Sequence, residues 1–302
     1  MKKIVEFIPN FSLSSQKDPK GFEQLYDLAE SMKDCIVLDF QSDGSHNRSV
    51  LTMIGSIEGI EEAAFQLTKK AIELIDMRKH SGEHPRMGAV DVMPFVPARN
   101  VSIVECIDLS KRVAQRVWDE LKLPSFLFEE SASKEERKNL ATCRKGEFEG
   151  MSEKLQQEEW LPDYGERKIH ETAGITAIGA RMPLIAFNVN LDTSDVEIAK
   201  KIAKTIRGSS GGFKYCKALG IMLEDKNIAQ VSMNMTNYEK TPLYVVYEMI
   251  KALADRYGVR VIGTELVGLA PGKALIDCAE YYLKLEDFDC YKQIMEYRLL
   301  EE

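Results

Sequence analysis

The sequence contains only four histidines, His46, His80, His84 and His170, in 302 residues. Each can therefore be weighed separately as a proton carrier or metal ligand. None of the six cysteines (Cys35, Cys106, Cys143, Cys216, Cys278 and Cys290) forms a C-x-x-C pair. A chain of this size needs no disulfide staples, so free thiols in a reducing, cytoplasmic compartment are the expectation. Positive charge is in deficit: 40 Lys and Arg against 48 Asp and Glu leave a net charge of −8. A general nucleic-acid binder needs basic surface to neutralise phosphates, so that class is disfavoured, although a local basic pocket is not. No apolar run approaches the length of a membrane span. The opening MKKIVEFIPNFS is broken by Glu6 and Pro9 and lacks the apolar core of a signal peptide, so neither a membrane nor a secretion signal is expected.

What remains is ordinary for a folded protein: 44% hydrophobic and 29% charged residues. The length suggests about two domains. Residues 4–9, 35–41, 49–55 and 89–95 read as strands, and 21–32 and 58–77 carry helical apolar stripes, giving the order βαββαβ. The last third repeats it. Strands are predicted at 184–191, 215–223, 228–235 and 260–269. A helix is expected after a capping box of Ser194 and Glu197, and another with Pro242 at its first position. Ser102 and Glu105 predict a further capped helix to residue 121, followed by a strand at 126–129. Residues 131–174 are polar and aperiodic, a length at which a loop is usually functional or disordered. The tail from residue 285 reads as a peripheral amphipathic helix. The predicted fold is α+β, with two ferredoxin-like (βαββαβ) subdomains at 1–178 and 179–302.

Strand alternation adds a functional hint. In 229–236, Gln230, Ser232, Asn234 and Thr236 share one face, and in 185–191 Asn188 and Asn190 do the same. Glu6 pairs by period with Asn10, and Asp39 with Gln41. A βαββαβ unit places both helices on one face of its sheet, which leaves these polar faces open, either to solvent or lining a ligand cleft.

The densest chemistry lies in His80-Ser-Gly-Glu-His84-Pro-Arg-Met-Gly88, with Asp91 just beyond. It matches H-x-x-E-H, the inverted zincin signature. That motif needs both histidines on one helical face. Gly82 and Pro85 disfavour a helix here, because a residue before proline is pushed out of the α region. No third ligand is identifiable, and no metal is expected. The alternative is an exposed imidazole that takes and returns a proton, beside a guanidinium that holds a carboxylate. That pairing suits group transfer between an amine and a carboxylate-bearing small molecule.

The ordered segments IVEFIPNFS, LDFQSDGSHNRSV, DMRKHSGEHPRMGAVDVMPFVP, RKGEFEG, TAGITAIGARMPLIAFNVNL, AQVSMNMTNYEKTPLYVVYE and GTELVGLAP resemble the glutamate formimidoyltransferases, including the formiminotransferase domain of formiminotransferase-cyclodeaminase. The resemblance runs from residue 4 to about 282 and implies no cyclodeaminase half. It implies transfer of a formimino group from N-formimino-L-glutamate to N5 of tetrahydrofolate, late in histidine degradation. Tetrahydrofolate would be a co-substrate, and the family is commonly dimeric, so a homodimer is expected. The family's catalytic histidine falls on His84. Its folate loop falls on Gly165, Glu166, Arg167, Lys168, Ile169, His170, Glu171, Thr172, Ala173 and Gly174. It further implies a charged tunnel between the polar sheet faces. Arg48, Arg86 and Arg181 are the candidates for substrate carboxylates, unranked by sequence. His80 would support the site from behind, and His46 precedes Asn47-Arg48 in a family-like H-N-R. Residues 144–147 read by default as a solvated charge cluster. Two departures stand out. Leu13-Ser14 replaces Glu-Gly, and Gln41 replaces an aspartate thought to assist the histidine, a role open here to the Gln41 amide, Asp39 or Asp43. An N-formylglutamate donor, or folate binding with weak catalysis, are the competing expectations.

Overall fold

A computed structural model describes residues 2–299. The chain divides into two compact units, Lys2–Arg181 and the residues from Met182 on.

The first unit opens with strand β1 (Ile4–Phe7) and the short β2 (Asn10–Phe11), which continues the same line past Pro9. Helix α1 (Pro19–Glu30) follows, its first turn capped by Asp18 accepting from the Gly21 N–H, with Pro19 opening the helix. Strands β3 (Cys35–Asp43) and β4 (Arg48–Gly55) form a hairpin, and Ser56 caps α2 (Ile57–Leu74). Strand β5 (Val90–Arg99) and helix α3 (Ile103–Leu121) come next, with the Ser102–Glu105 capping box in place. Then come β6 (Ser125–Glu129), the short helices α4 (Leu140–Arg144) and α5 (Glu147–Lys154), and β7 (Thr176–Ala180). The strand order is β3-β4-(β1, β2)-β5-β7-β6; β7 runs parallel to both neighbours, and the division between units therefore falls after it.

Residues 131–174 are not one irregular connection. Leu127 and Ile178 join the main core with α1, α2 and α3. Phe126, Phe128 and Ala177 point the opposite way and meet Cys143, Met151 and Leu155 in a second core. Arg137, fully buried, ties this layer down through Asp163 and the Glu159 carbonyl (2.9 Å), with Phe126 beneath its guanidinium. Polar composition hid this layer, because its order rests on a few large side chains and one buried ion pair.

The second unit contains β8 (Ile185–Leu191), α6 (Val196–Ile206), β9 (Cys216–Leu223), β10 (Ile228–Met235), α7 (Leu243–Arg256) and β11 (Val261–Val267). Its sheet order, β11-β8-β10-β9, is that of β5-(β1, β2)-β4-β3 in the first unit. Val189, Val231 and Met233 pack with Ile202 of α6 and Val246 and Ile250 of α7. Three local expectations change. Asp195, not Ser194, caps α6, since its carboxylate accepts from the Glu197 N–H at 3.0 Å. Pro242 sits one position before α7, at its cap. Helix α8 (Gly272–Leu283) follows β11, and the tail from residue 285 holds two short pieces, α9 (Cys290–Gln293) and α10 (Met295–Leu299), rather than one peripheral helix.

Candidate active site

The segment from His80 to Gly88 is non-helical and bends at Glu83 and His84, between α2 and β5. Its shape is set by close backbone approach on two sides. A Cβ at Gly82 would collide with the His46 carbonyl, in the turn of the β3–β4 hairpin. Gly174 (φ +72°) lies so near the Met87 carbonyl that only glycine fits. Hydrogen bonds complete the clamp. The Glu83 N–H donates to the Ser45 carbonyl (3.2 Å), Asn47 Nδ2 to the Ser81 carbonyl (3.1 Å) and the Ala89 N–H to the Ala173 carbonyl (2.9 Å).

His80 uses both ring nitrogens. Arg86 Nε donates to its Nδ1 (3.1 Å), so Nε2 carries the proton and donates to the Asn47 carbonyl (3.0 Å). Burial lowers its proton affinity. With no helix through the segment and His80 so committed, the helix-borne zincin arrangement does not form. Arg86, 7% exposed, meets Glu149 through two parallel N–H···O bonds, 2.6 Å at Oε1 and 2.9 Å at Oε2, and Glu147 at 2.6 Å. Its fork is thus filled by the chain's own carboxylates.

His84 is half-buried. Burial pushes its proton affinity down to a pKa of about 4, and the guanidiniums of Arg48 and Arg144 add to the effect, with Asp91 opposing. The imidazole is therefore neutral at pH 7, ready to accept a proton. Asp91 is 3% exposed. One oxygen accepts from the Met87 N–H (3.0 Å), closing the loop that carries His84; the other accepts from Arg144 Nε (2.8 Å). Arg144 is thus half of a buried ion pair, not part of a solvated cluster. The carboxylate acting on His84 is Asp91. Gln41 Nε2 donates to Asp39 (2.7 Å), and Asp43 binds His46 Nδ1 (2.8 Å). The His46 ring meets that of His84 edge-on, with centroids 5.9 Å apart. Sequence reasoning placed Asp91 in the cluster but gave it no role. A charged residue inside the apolar run Ala-Val-Asp-Val-Met was the available signal, since buried carboxylates require partners.

Arg48 Nε donates to Asn10 Oδ1 (2.8 Å), and a second guanidinium nitrogen meets the same oxygen. Burial lowers the proton affinity of Arg181, against Glu6 and Glu129. Ser14, at one of the two departures, is buried and donates to Asn47 Oδ1 (3.1 Å), while Leu13 packs in the core. In the 165–174 loop, Glu166, Arg167, Lys168 and Glu171 are exposed, Gly165, Ile169, His170 and Thr172 are intermediate, and Ala173 and Gly174 are buried. Arg167 pairs with Glu158, and Glu171 with Arg78 (2.7 Å). His170 Nδ1 accepts from the Ala173 N–H (3.1 Å), folding the loop's end into a tight turn with His170 and Gly174 paired through their backbones.

Two family models match the chain: the formiminotransferase domain, N-terminal subdomain, over residues 4–181, and the formiminotransferase domain over 186–299. The chain belongs to the formiminotransferase family. It is 61% identical over 300 residues to a glutamate formimidoyltransferase of Streptococcus pyogenes serotype M1, covering 99% of this chain and all of that one. The corresponding protein of Thermoplasma acidophilum is 44% identical, over 95% and 94% of the two chains. A formimidoyltransferase-cyclodeaminase of Gallus gallus is 42% identical over 95% of this chain and 53% of its own. In this formiminotransferase the second unit carries its own polar cluster. Gln230 Nε2 donates to Asn190 Oδ1 (2.7 Å) and Glu265 (3.0 Å), and Glu265 also receives Asn190 (3.3 Å) and Lys226 (3.2 Å). Asn188 lies beside it, opposite Ser232 and Glu265 in the strand register.

Proposed function

We propose that this formiminotransferase acts as a glutamate formimidoyltransferase, moving the formimino group of N-formimino-L-glutamate to N5 of tetrahydrofolate and releasing glutamate. The observation that carries this reading is the neutral His84 imidazole beside two guanidiniums, on a chain 61% identical to a glutamate formimidoyltransferase over its full length. N5 attacks the formimidoyl carbon, and His84 takes the N5 proton as the tetrahedral intermediate forms. The same proton then goes to the glutamate nitrogen as its bond to that carbon breaks. Holding both substrates in place supplies much of the acceleration, on the order of 7–11 kcal/mol in favourable cases. The folate co-substrate is assigned to the 165–174 loop, whose end is held in a tight turn by His170 Nδ1. Six free thiols accord with a cytoplasmic setting, and a homodimer is the proposed assembly.

A steady-state assay with tetrahydrofolate and either N-formimino- or N-formyl-L-glutamate tests the reading. Turnover of the formimino donor at least tenfold above the formyl donor supports it. A preference for the formyl donor, or tight folate binding without turnover of either, overturns it.

A further inference from the structure

Among the described residues, the arginines around His84 differ in what they meet. Arg144 is neutralised by Asp91, with Nε at 2.8 Å. Arg86 is neutralised by Glu147 and Glu149. Arg48 meets only the neutral amide oxygen of Asn10, and no carboxylate reaches it within ion-pair distance. Asp43 lies opposite it in the hairpin register but is bonded to His46. Asn10 is itself buried and anchored by its Nδ2 to the Ile8 carbonyl (3.1 Å), so the Arg48 fork is held from one side only. A half-buried guanidinium costs desolvation that a neutral amide does not return, which fits a fork built to receive an anion.

We propose that Arg48 receives a carboxylate of the formimidoyl donor in the open side of its fork. The inference rests on the formimidoyl-transfer reading and assigns a substrate contact within it. The groups facing His84 are Arg48 from β4, Arg144 from α4, Asp91 from β5 and His46 from the hairpin turn. With Arg144 already paired, Arg48 is the cation whose influence a bound carboxylate can cancel. The same event positions the donor and offsets one of the charges that, after burial, oppose protonation of His84. Released glutamate carries the carboxylate away and leaves the Arg48 fork open for the next donor.

The test uses the whole chain, Arg48→Gln and Arg48→Lys, with circular dichroism and melting curves to establish folding. Arg48→Gln should raise KM for N-formimino-L-glutamate about 10²-fold and change KM for tetrahydrofolate less than threefold. Arg48→Lys should recover part of the loss, since it keeps the charge but not the fork. Separately, NMR titration of the His84 ring in wild type should show its pKa rising when glutamate is added, and no rise in Arg48→Gln. Wild-type turnover with an unchanged donor KM in Arg48→Gln overturns the assignment, as does a His84 pKa that glutamate does not move. An effect on the folate KM instead places the tetrahydrofolate carboxylates at Arg48 and also overturns it. Absence of wild-type turnover would refute the functional reading, which the glutamate titration does not depend on.

Discussion

The two units share one strand order and differ in what is built on it. In the unit from Met182 on, the sheet has helices on one face, and the polar cluster of Gln230, Asn190 and Glu265 lies flat on strands, stitched by side-chain hydrogen bonds. In Lys2–Arg181, two parallel strands and a second helical layer are added, and β5 becomes buried on both faces. All four histidines fall in this unit. The added layer supplies Arg144, Glu147 and Glu149, and its last loop grips Gly88 and Ala89. The shared unit thus provides a rigid sheet, and the elaboration fixes the loop that carries an imidazole and its charges.

The largest effect that separates the units is on chemistry. His84→Ala should lower turnover by roughly 10²–10⁴-fold, the usual contribution of a general base, with folate affinity nearly unchanged. A steady-state comparison with Gln230→Ala makes the contrast direct. Near-normal turnover in His84→Ala, or an equal loss in both variants, breaks the assignment of chemistry to the first unit.

Asp91→Ala comes next. It removes the carboxylate that pairs Arg144 and accepts the Met87 N–H, leaving a guanidinium buried without its partner. The expected destabilisation is about 3–5 kcal/mol, read from denaturant unfolding. Asp91→Ala with Arg144→Met should regain a large share of that loss, because replacing both members of a buried pair by apolar groups removes the orphaned charge. No regain in the double variant would mean that the Met87 contact, not the ion pair, carries the effect.

Much of this was legible beforehand, and the reasons are physical. The helices and strands of the two βαββαβ repeats follow apolar periods enforced by one-sided burial, so Ala63, Leu67 and Ala71 of α2 and Val231 and Met233 of β10 marked themselves. The non-helical course of 80–84 followed from Gly82 and Pro85. What composition concealed were partners distant in sequence. Asp91 and Arg144 lie 53 residues apart, and Arg86 and Glu149 63. Nothing in either segment alone says which charges meet. The same blindness left Arg86 unranked as a substrate ligand, although its fork is already filled. β7 was missed because Thr-Ala-Ile-Gly-Ala is short, small and buried on both faces, with no alternation to read.

In the second unit, Gln230→Ala deletes the donor that joins Asn190 to Glu265. Gln230 is 1% exposed, so the loss leaves the buried Asn190 oxygen short of a partner, at about 1–2 kcal/mol. Melting curves of the variant should show this cost while the His84 ring titrates as in wild type; a displaced His84 titration would break the separation between the two clusters.

The remaining effect is on pH dependence and belongs to the first unit alone, since the second has no histidine. His84 has its proton affinity lowered to about 4 on folding from an ordinary value of 6.5. Between those values the unfolded chain binds more protons than the folded one, so acid favours unfolding. The stability associated with His84 is complete above about pH 6.5 and falls away progressively as the pH drops toward 4. His84→Gln removes that titration. Its melting temperature should therefore fall less than that of wild type between pH 7.5 and 5, with the difference in hydrogen exchange confined to residues 2–181. Equal falls in both proteins would mean that His84 gains its proton in the folded state as easily as in the unfolded one, and that neither burial nor Arg48 and Arg144 hold its proton affinity down.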